Sequence, residues 1–500
     1  MGKRKITLGI AFIAGIAVTA MEISASRLLA PYFGTSQLVW TNVIGIVLAA
    51  LAAGYYLGGR LSEIHPELPA LLKIIFIAGV LGLLIPWIAR PLAQGFAAVP
   101  GGGSPAYVFF GSLLVAAALF GIPIALLGMT SPFLIKIATA GSAGQTAGSI
   151  SGQIFAWSTI GSILGTFLPT LLLTPWLGTR LTISIFAAVL VVLGSFGFTR
   201  IPAKIIAALT VLALFLPLRT PLKPSERLLA EQESRQQFIQ VLQGQSGTRY
   251  MVVNEGAGIQ SIYNPAKTTT GFYYDALALL PRLFPQQKPV KVLIIGVAGG
   301  TVPRELAAEY GSGVRLDGVE IDPAVTKLAD KYFDFSSVPI NMHFADGRIF
   351  LAHDPQKYDL IIVDAYQNEL YIPFTVTTRE FWQSVAGHLN SGGIVALNAG
   401  ARSPGSPLFL ALTNTIASVF PKVEYSPIGA NTFNYLITAG RQPLNFATLA
   451  GSKNPDLQAM AGTLAANQQN YAFNPAERVL TDDKAPVEFL TEQDLGYLQH

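Results

Sequence analysis

The chain divides into two halves with different hydrophobic patterns. In the first half, apolar stretches recur at lengths close to the roughly 20 residues that a helix needs to cross a bilayer. Before Ser225 the only acidic residues are Glu22, Glu63 and Glu67. This pattern predicts six or seven membrane-spanning helices. They are expected near residues 6–20, 39–57, 71–88, 107–127, 154–173, 181–198 and 201–218.

After a Pro-rich, basic segment, short apolar strands alternate with amphipathic helices. This alternation predicts an α/β domain with a parallel sheet, with a small β element in front of it. The last two strands are close enough to form an antiparallel hairpin, and a mostly parallel sheet with an antiparallel end is the arrangement of the Rossmann-like, S-adenosylmethionine-type methyltransferase fold. We therefore divide the chain into an α-helical transmembrane domain (1–218), a juxtamembrane linker (219–232) and a soluble domain (233–500). The small β element is expected at 249–253 and 259–263, parallel strands at 291–295, 315–319, 340–344, 360–364 and 394–398, and an antiparallel hairpin at 423–425 and 433–438.

Composition agrees with a membrane protein and excludes several chemistries. Hydrophobic residues make up 51% of the chain and charged residues only 12%, whereas charged residues are about a quarter of an average soluble protein. The net charge of +4 comes from basic residues near the ends of apolar stretches, so it indicates membrane topology and not nucleic-acid binding. The chain has no cysteine, which excludes disulfides and a thiol nucleophile. Its five histidines lack metal-ligand spacing, and we predict no metal.

The topology depends on the number of spans. Lys3, Arg4 and Lys5 favour a cytoplasmic amino terminus. Six spans then keep the soluble domain in the cytoplasm, whereas seven place it outside. Glu22 is an acid deep inside the first span, with Arg27 a turn and a half further on. Such an acid belongs either to a structural ion pair or to a polar transport or gating site, and both alternatives stay open.

The most informative pattern lies in the soluble domain. An apolar strand enters the loop Gly296-Val-Ala-Gly299-Gly300, and Glu320 follows about twenty residues later. Asp346-Gly347 and Asp364 follow the next two predicted strands. Because ligands bind at the carboxyl ends of parallel strands, these acids are expected to meet in one crevice that holds a nucleoside. A helix cap explains any single acid equally well, but not all three.

Several motifs in this order give the soluble domain a resemblance to a known family. Residues 233 to about 398 resemble the membrane-fused branch of the spermidine synthase (polyamine aminopropyltransferase) family, beginning with Glu233-Ser-Arg-Gln-Gln237-Phe-Ile-Gln-Val. The amino-terminal half is similar to the membrane domain fused to such enzymes, through segments 21–31, 128–132 and 158–166. The resemblance implies donor-binding roles for Gln237, Gly296, Gly299, Gly300, Glu320 (ribose), Asp346 and Gly347 (adenine), a catalytic role for Asp364, and acceptor-binding roles for Tyr273, Tyr274, Asp275, Gln367 and Pro373.

Three positions depart from the family pattern. Gly299 stands where members that use putrescine carry Asp in the glycine loop, and Tyr274 stands where they carry His. The usual Asp-x-x-Asp is Asp364-Ala-Tyr-Gln367, so the second carboxylate for a cationic amine is missing. Acids that could compensate for these losses are Asp275, Glu369, Asp482 and Asp483.

The expected activity is transfer of an aminopropyl group from decarboxylated S-adenosylmethionine to an amine such as putrescine, with release of methylthioadenosine. We expect no prosthetic group. The expected partners are a small-molecule amine and the lipid bilayer, and no nucleic acid. A homodimer is the expected assembly if the protein is an oligomer. The resemblance places the chain in the inner or plasma membrane as a multi-pass protein with a cytoplasmic catalytic domain. Two alternatives stay open: a methyltransferase that uses intact S-adenosylmethionine, and a polyamine transporter or sensor with a non-catalytic soluble half.

Overall fold

The chain folds into two compact units in a computed structural model. The first comprises Met1–Ser225 together with Gln232–Phe238, and the second comprises Glu226–Glu231 together with Ile239–His500. The structure describes residues 2–97, 105–140, 146–199, 204–209, 221–256, 258–285, 288–367, 371–429 and 433–497.

The first unit is helical. Its described residues contain five helices that are long and apolar enough to cross a membrane, and the first five predicted spans fall on them. The sixth predicted span falls on a shorter apolar helix of 17 residues, and most of the seventh (201–218) lies outside the described residues. The helices are α1 (Gly2–Phe33), α2 (Gln37–Ile64), α3 (Leu68–Ala97), α4 (Pro105–Ala116, Ala117–Gly121, Ile122–Gly128 and Thr130–Ala140), α5 (Ala147–Leu168, Pro169–Leu173 and Thr174–Leu177), α6 (Thr179–Ser195) and α7 (204–209).

Small residues let α1 and α5 pack with their backbones almost in contact. A Cβ atom at Gly161 would lie 2.1 Å from the carbonyl oxygen of Phe12, and one at Gly15 would lie 2.1 Å from that of Ser158. At the same interface Thr19 Oγ1 donates a 2.9 Å hydrogen bond to the carbonyl oxygen of Ser162. Gly161 and Gly165 therefore serve close helix packing, because any larger side chain at these positions would force the helices apart.

The segment 232–238 is fastened to the helices of the first unit. Nη1 of Arg27 donates a 2.7 Å hydrogen bond to the carbonyl oxygen of Ser234, and Nη2 donates to that of Arg235. The carboxylate of Glu233 accepts hydrogen bonds from the backbone nitrogen (2.6 Å) and the hydroxyl of Thr179, at the first turn of α6. A carboxylate at a helix amino terminus also interacts favourably with the helix dipole.

The hypotheses about Glu22 stay predictions.

The second unit contains a four-stranded sheet and an eight-stranded sheet. The small sheet has the order β1-β2-β3-β4, with β2–β3 and β3–β4 antiparallel, and contains the predicted β element at 249–263. The large sheet has the order β12-β10-β11-β9-β8-β5-β6-β7. The strands are β1 (Leu228–Glu233), β2 (Phe238–Gln243), β3 (Arg249–Val253), β4 (Ile259–Tyr263), β5 (Val290–Ile295), β6 (Val314–Glu320), β7 (Ile340–Phe344), β8 (Tyr358–Val363), β9 (Leu389–Gly400), β10 (Lys422–Pro427), β11 (Asn434–Gly440) and β12 (Gln469–Tyr471).

The large sheet is parallel from β9 to β7 and antiparallel at its other end, as predicted. Both faces of β5 are buried at its carboxyl end, with Val292 and Ile294 in one hydrophobic core and Leu293 and Ile295 in another, which explains the uninterrupted apolar stretch at 292–295. The helices of this unit are α8 (Tyr273–Ala278), α9 (Thr301–Tyr310), α10 (Pro323–Tyr332), α11 (Gly347–His353), α12 (Arg379–Gly387), α13 (Pro407–Ala417), α14 (Pro455–Ala466) and α15 (Val487–Tyr497).

The strand order locates the crevice. From β5 the chain goes to β6 and β7 on one side and then returns to β8 and β9 on the other. The carboxyl ends of β5 and β8 therefore border a topological switch point, which is where ligands bind in open α/β sheets. The glycine loop follows β5, and Asp364 follows β8.

Candidate active site

The glycine loop takes a backbone path that only glycine permits at its first position. Gly296 has a φ of +92°, and a Cβ atom there would lie 2.4 Å from the carbonyl oxygen of Asp364. The backbone nitrogen of Asp364 in turn donates a 2.9 Å hydrogen bond to the carbonyl oxygen of Ile295. The loop and the predicted catalytic acid are thus held side by side at the switch point.

Glu320 supports the glycine loop from the next strand. Its Oε2 accepts a 2.9 Å hydrogen bond from the backbone nitrogen of Ala298, and its Oε1 accepts one of 3.0 Å from that of Asp322. Burial raises the pKa of Glu320, and the two backbone hydrogen bonds oppose the shift. A carboxylate can accept about four hydrogen bonds, so Glu320 retains acceptor capacity for ribose hydroxyls. That role stays a prediction.

The backbone amides of the loop already have partners inside the protein. The nitrogen of Gly299 donates to Ser261 Oγ at 2.7 Å, and that of Gly300 donates to the carbonyl oxygen of Val297 at 3.0 Å. With the bond from Ala298 to Glu320, three consecutive N–H groups are engaged. A Cβ atom at Gly299 would lie 2.8 Å from the Cβ atom of Ser261. The small sheet therefore fills the place that the family's aspartate side chain would need.

Asp346 is the N-cap of α11. Its Oδ1 accepts hydrogen bonds from the backbone nitrogens of Arg348 (2.9 Å) and Ile349 (3.1 Å), so the helix-cap explanation holds for this oxygen. Gly347 is required next to it, since a Cβ atom there would lie 2.4 Å from the Ile295 side chain. The predicted adenine contacts of Asp346 and Gly347 stay predictions.

Exposed apolar side chains at the same strand ends were missed by the sequence analysis. Ile321 follows β6, Phe344 ends β7 and Ile349 lies in the first turn of α11, and their exposed fractions are 49%, 53% and 60%. Apolar side chains at a ligand-binding edge are suited to the faces of a nucleobase. Their sequence signal was an apolar residue close to a predicted acid: directly after Glu320, and two positions before and three positions after Asp346.

Asp364 has the environment of a general base. Its Oδ2 accepts a 3.1 Å hydrogen bond from the hydroxyl of Tyr273, and its Oδ1 accepts one of 3.0 Å from Nδ2 of Asn398. Burial raises the pKa of Asp364 to about 7, even though both hydrogen bonds lower it. A base with a pKa near the working pH is both ionised in part and basic enough to take a proton.

Asn398 belongs to a network that the sequence analysis missed. Its Oδ1 accepts a 3.0 Å hydrogen bond from Nδ2 of Asn434, which fixes the orientation of the amide so that Nδ2 faces Asp364. The hydroxyl of Tyr366 donates to the carbonyl oxygen of Asn398 and accepts from the nitrogen of Gly400, both at 2.9 Å. The signal was the strand register, because Val363 pairs with Leu397 and the next residues are therefore Asp364 and Asn398.

Two predicted acceptor-binding side chains are engaged elsewhere. Tyr274 is buried, and its hydroxyl donates a 2.8 Å hydrogen bond to the carbonyl oxygen of Ile259. Asp275 is fully buried, and its carboxylate accepts hydrogen bonds from the turn at Thr270 and Gly271. The structure thus corrects the expectation that both line the acceptor pocket: α8 turns them into the core. Tyr273, in contrast, contacts Asp364 directly.

The remaining predicted residues give less information. The backbone of Gln367 exchanges two hydrogen bonds with that of Tyr371 (2.6 and 3.1 Å), and its side chain is exposed. Pro373 precedes a single 3-10 turn, Phe374–Val376. Gln237 belongs to the first unit, where its carbonyl oxygen accepts a 2.9 Å hydrogen bond from the nitrogen of Ser234. Their proposed contacts stay predictions.

Asp482 was a candidate for the missing amine-binding charge. Its carboxylate forms a two-pronged ion pair with Arg348 and accepts a 2.7 Å hydrogen bond from the hydroxyl of Thr378. These contacts give Asp482 a structural explanation. Glu369, another candidate, lies outside the described residues.

The fold and the strand-end residues define a class. A mostly parallel sheet with a glycine loop after β5, an acid at the end of β6 and an antiparallel end is a Rossmann-like domain of the methyltransferase type, in which ligands bind at the switch point. Residues 271–437 match the family model described as the spermine/spermidine synthase domain. The carboxyl-terminal half of the chain therefore carries a spermine/spermidine synthase domain.

Curated relatives agree with this assignment. A probable polyamine aminopropyl transferase of Bifidobacterium longum is 33% identical over 288 residues, which are 53% of this chain and 62% of that protein. A polyamine aminopropyltransferase of Vibrio vulnificus is 29% identical over 299 residues, 56% of this chain and 98% of that protein. An eEF1A lysine and N-terminal methyltransferase of Xenopus laevis is 30% identical over 187 residues, 35% of this chain and 26% of that protein. The chain thus spans less than two thirds of the first of these relatives.

Solved structures are similar at a lower level. A probable spermidine synthase from Corynebacterium glutamicum has 18% sequence identity and a TM-score of 0.41, covering 52% of this chain and 97% of that chain. A spermidine synthase in complex with the transition-state analogue AdoDATO has 21% identity and a TM-score of 0.36, covering 43% and 74%.

Proposed function

We propose that this protein is a polyamine aminopropyltransferase, which moves an aminopropyl group from decarboxylated S-adenosylmethionine to an amine and releases methylthioadenosine. The observation that carries the proposal is Asp364. It lies beside the glycine loop at the switch point, and burial brings its pKa to about 7. The names of the Bifidobacterium and Vibrio relatives support the same activity.

The proposed reaction is a single displacement. The lone pair of a neutral amine forms a bond to the aminopropyl carbon attached to sulfur. The carbon–sulfur bond breaks, its electrons return to the sulfonium, and a neutral thioether leaves. The amine nitrogen then carries an extra proton, which Asp364 accepts. Because a sulfonium leaves readily, the enzyme contributes mainly positioning and proton removal.

The charges around the loop favour a donor without a carboxylate. The amides of residues 298 to 300 all donate to protein oxygens, so none of the three is available to an additional anion without breaking a bond. The neighbouring strand ends carry Glu320, Asp346 and Asp364. A donor with a sulfonium and an amine is attracted to this site, whereas the carboxylate of intact S-adenosylmethionine is repelled by it.

The decisive experiment is an activity matrix of donors and acceptors on the purified full-length protein in detergent. We expect methylthioadenosine and an aminopropylated amine with the decarboxylated donor. Asp364→Asn keeps the shape of the side chain but removes the base, and we expect kcat to fall roughly 100- to 10,000-fold. Asp330→Asn, the same change at an exposed position of α10, is the control and should leave kcat unchanged. Normal turnover by a folded Asp364→Asn variant that still binds methylthioadenosine would exclude the proton-acceptor role.

A methyltransferase is the second candidate. Two observations favour it: the loop carries Gly299 in place of an acid, and the Xenopus relative is named a methyltransferase. The same matrix separates the two functions by product mass, because methyl transfer adds one carbon and needs the intact donor. Product that forms only from intact S-adenosylmethionine would replace the aminopropyltransferase proposal.

The apolar helices extend the proposal to localisation. Five helices long and apolar enough to cross a membrane support an integral membrane protein with a membrane domain at 1–218 and a catalytic domain at 233–500. We place the catalytic domain in the cytoplasm, where its nucleoside donor is made. Protease treatment of intact and opened spheroplasts tests this orientation, and digestion of the catalytic domain in intact spheroplasts would reverse it.

A further inference from the structure

A buried carboxylate fastens the turn that leads into α8. Asp275 accepts hydrogen bonds from the backbone nitrogen (2.8 Å) and hydroxyl (2.7 Å) of Thr270 and from the backbone nitrogen of Gly271 (2.9 Å). Two residues before Asp275 is Tyr273, which donates to Asp364. Asp275 therefore lies within one helical turn of the side chain whose hydroxyl contacts the proposed base.

A second buried carboxyl group faces Asp275. Glu305 lies on α9, which packs against α8, and only 3% of its surface is exposed. Among the described residues neither of its carboxyl oxygens has a hydrogen-bond partner. The hydroxyl of Thr270 also interacts with Glu305, but it donates its hydrogen bond to Asp275. A buried polar group without a partner is costly. The two carboxyl groups satisfy each other only if a proton lies between them.

The charged and titratable groups around Glu305 decide which carboxyl group holds that proton. Burial, then the neighbouring carboxylate of Asp275, raises the pKa of Glu305 well above its usual range, and the cation of Arg304 and the hydroxyl of Thr270 oppose this only in part. The guanidinium of Arg304 lies over the ring of Tyr263 and donates to the carbonyl oxygen of Asn264. Tyr274 is a further titratable group that interacts with Glu305 within the described part of the chain.

We propose that Glu305 is a positioning residue, which stays protonated and donates a hydrogen bond to Asp275. This one shared proton stabilises the Thr270–Gly271 turn. Through α8, the turn keeps the hydroxyl of Tyr273 in contact with Asp364. The effect on catalysis rests on the proposed function, whereas the shared proton itself does not. Like charges in a buried pair cannot both be ionised, so loss of the proton separates the two carboxylates and loosens the turn.

The sign of the pH dependence follows from this arrangement. Folding raises the pKa of Glu305 above its unfolded value of about 4.3. The pair therefore contributes its full stability below that value, and the contribution is lost as pH rises through the folded-state pKa. A glutamine at 305 donates the same hydrogen bond at every pH and removes this alkaline loss.

The test compares Glu305→Gln and Glu305→Ala with the full-length protein in detergent. Melting temperature is measured without substrate between about pH 5 and pH 9, followed by kcat at the same pH values. We expect Glu305→Gln to match the parent protein at low pH and to exceed it in melting temperature at high pH. Glu305→Ala should melt lower at every pH and lose roughly 10- to 100-fold in kcat, because Tyr273 is no longer held in place. Glu226→Gln, at an exposed position, is the control for the amide substitution.

Two outcomes would overturn the proposal. Parallel melting curves for the parent protein and Glu305→Gln would show that no proton is bound at this pair in the folded state. Equal losses of kcat in Glu305→Gln and Glu305→Ala would show that the side chain's donated bond has no positioning role. The melting curves need no substrate, so their result stands even where the proposed reaction fails.

Discussion

Asn398→Leu is expected to shift the pH at which the enzyme becomes active. The substitution keeps the approximate shape of the side chain but removes the Nδ2 donor that lies 3.0 Å from Asp364 Oδ1. That hydrogen bond stabilises the ionised carboxylate and lowers the pKa of Asp364, against the larger effect of burial that brings it to about 7. Without the bond, the carboxyl group holds its proton to higher pH.

The size of the shift can be worked out from the bond that is lost. A hydrogen bond to a charged group contributes roughly 1.5–3 kcal/mol, and one pKa unit corresponds to about 1.4 kcal/mol. The pKa of Asp364 should therefore rise by about one to two units. At pH 7 the ionised fraction falls from about a half to less than about a tenth, and kcat should fall roughly 7- to 80-fold. Activity should return at alkaline pH.

The assay is the pH profile of kcat with saturating donor and acceptor. Asn341→Leu is the matched control, because Asn341 also donates to an aspartate, Asp317, but on edge strand β7. Its profile should keep the parent midpoint. A loss of activity in Asn398→Leu that is equal at every pH, with the midpoint unmoved, would refute the claim that Asn398 controls the ionisation of Asp364.

Two further substitutions test other parts of the site. Gly299→Asp should lower the melting temperature, since its Cβ atom would lie 2.8 Å from that of Ser261 and overpacking costs about 1–3 kcal/mol. Adding Ser261→Gly should recover stability and increase the preference for the decarboxylated donor. No recovery in the double variant would contradict the steric explanation. Asp482→Asn breaks a half-exposed ion pair with Arg348. It should therefore lower the unfolding free energy by less than about 1 kcal/mol in denaturant titration and leave the KM for the acceptor amine unchanged. A large rise in that KM would restore Asp482 as an amine-binding residue.

The parts of the fold that were predicted correctly depend on local sequence. The uninterrupted apolar stretch at 292–295 in β5 is typical of a strand buried on both faces, and the glycine loop directly after it marks the turn into a helix. The same logic located the acids at the ends of β6 and β8. An acid at a helix terminus is less informative, because it can be either a site residue or a helix cap. Asp346 lies at an expected site position and also caps α11.

The residues that were missed depend on contacts between strands and helices that are far apart in the chain. Ser261 contacts Gly299 across 38 positions and Asn398 contacts Asp364 across 34, and neither contact leaves a pattern in either local segment. The direction of a side chain was also misjudged at α8, where consecutive positions 273 to 275 were all assigned to the pocket. In a helix successive side chains point about 100° apart, so only one of them, Tyr273, reaches Asp364.

These long-range contacts explain how the glycine loop is packed without the family's aspartate. Gly299 leaves a place that Ser261 fills, and the hydroxyl of Ser261 also takes up the amide of Gly299, so the loss of the aspartate creates neither a cavity nor an unpaired N–H group. The loop thereby keeps its shape but loses a negative charge, and the remaining attraction for a cationic substrate comes from Glu320, Asp346 and Asp364. Asp364 is only partly ionised near pH 7. As pH rises, its attraction for the acceptor amine and its ability to take the amine's proton should therefore increase together. The ionisation of this one carboxyl group is thus expected to be the main control of the proposed reaction.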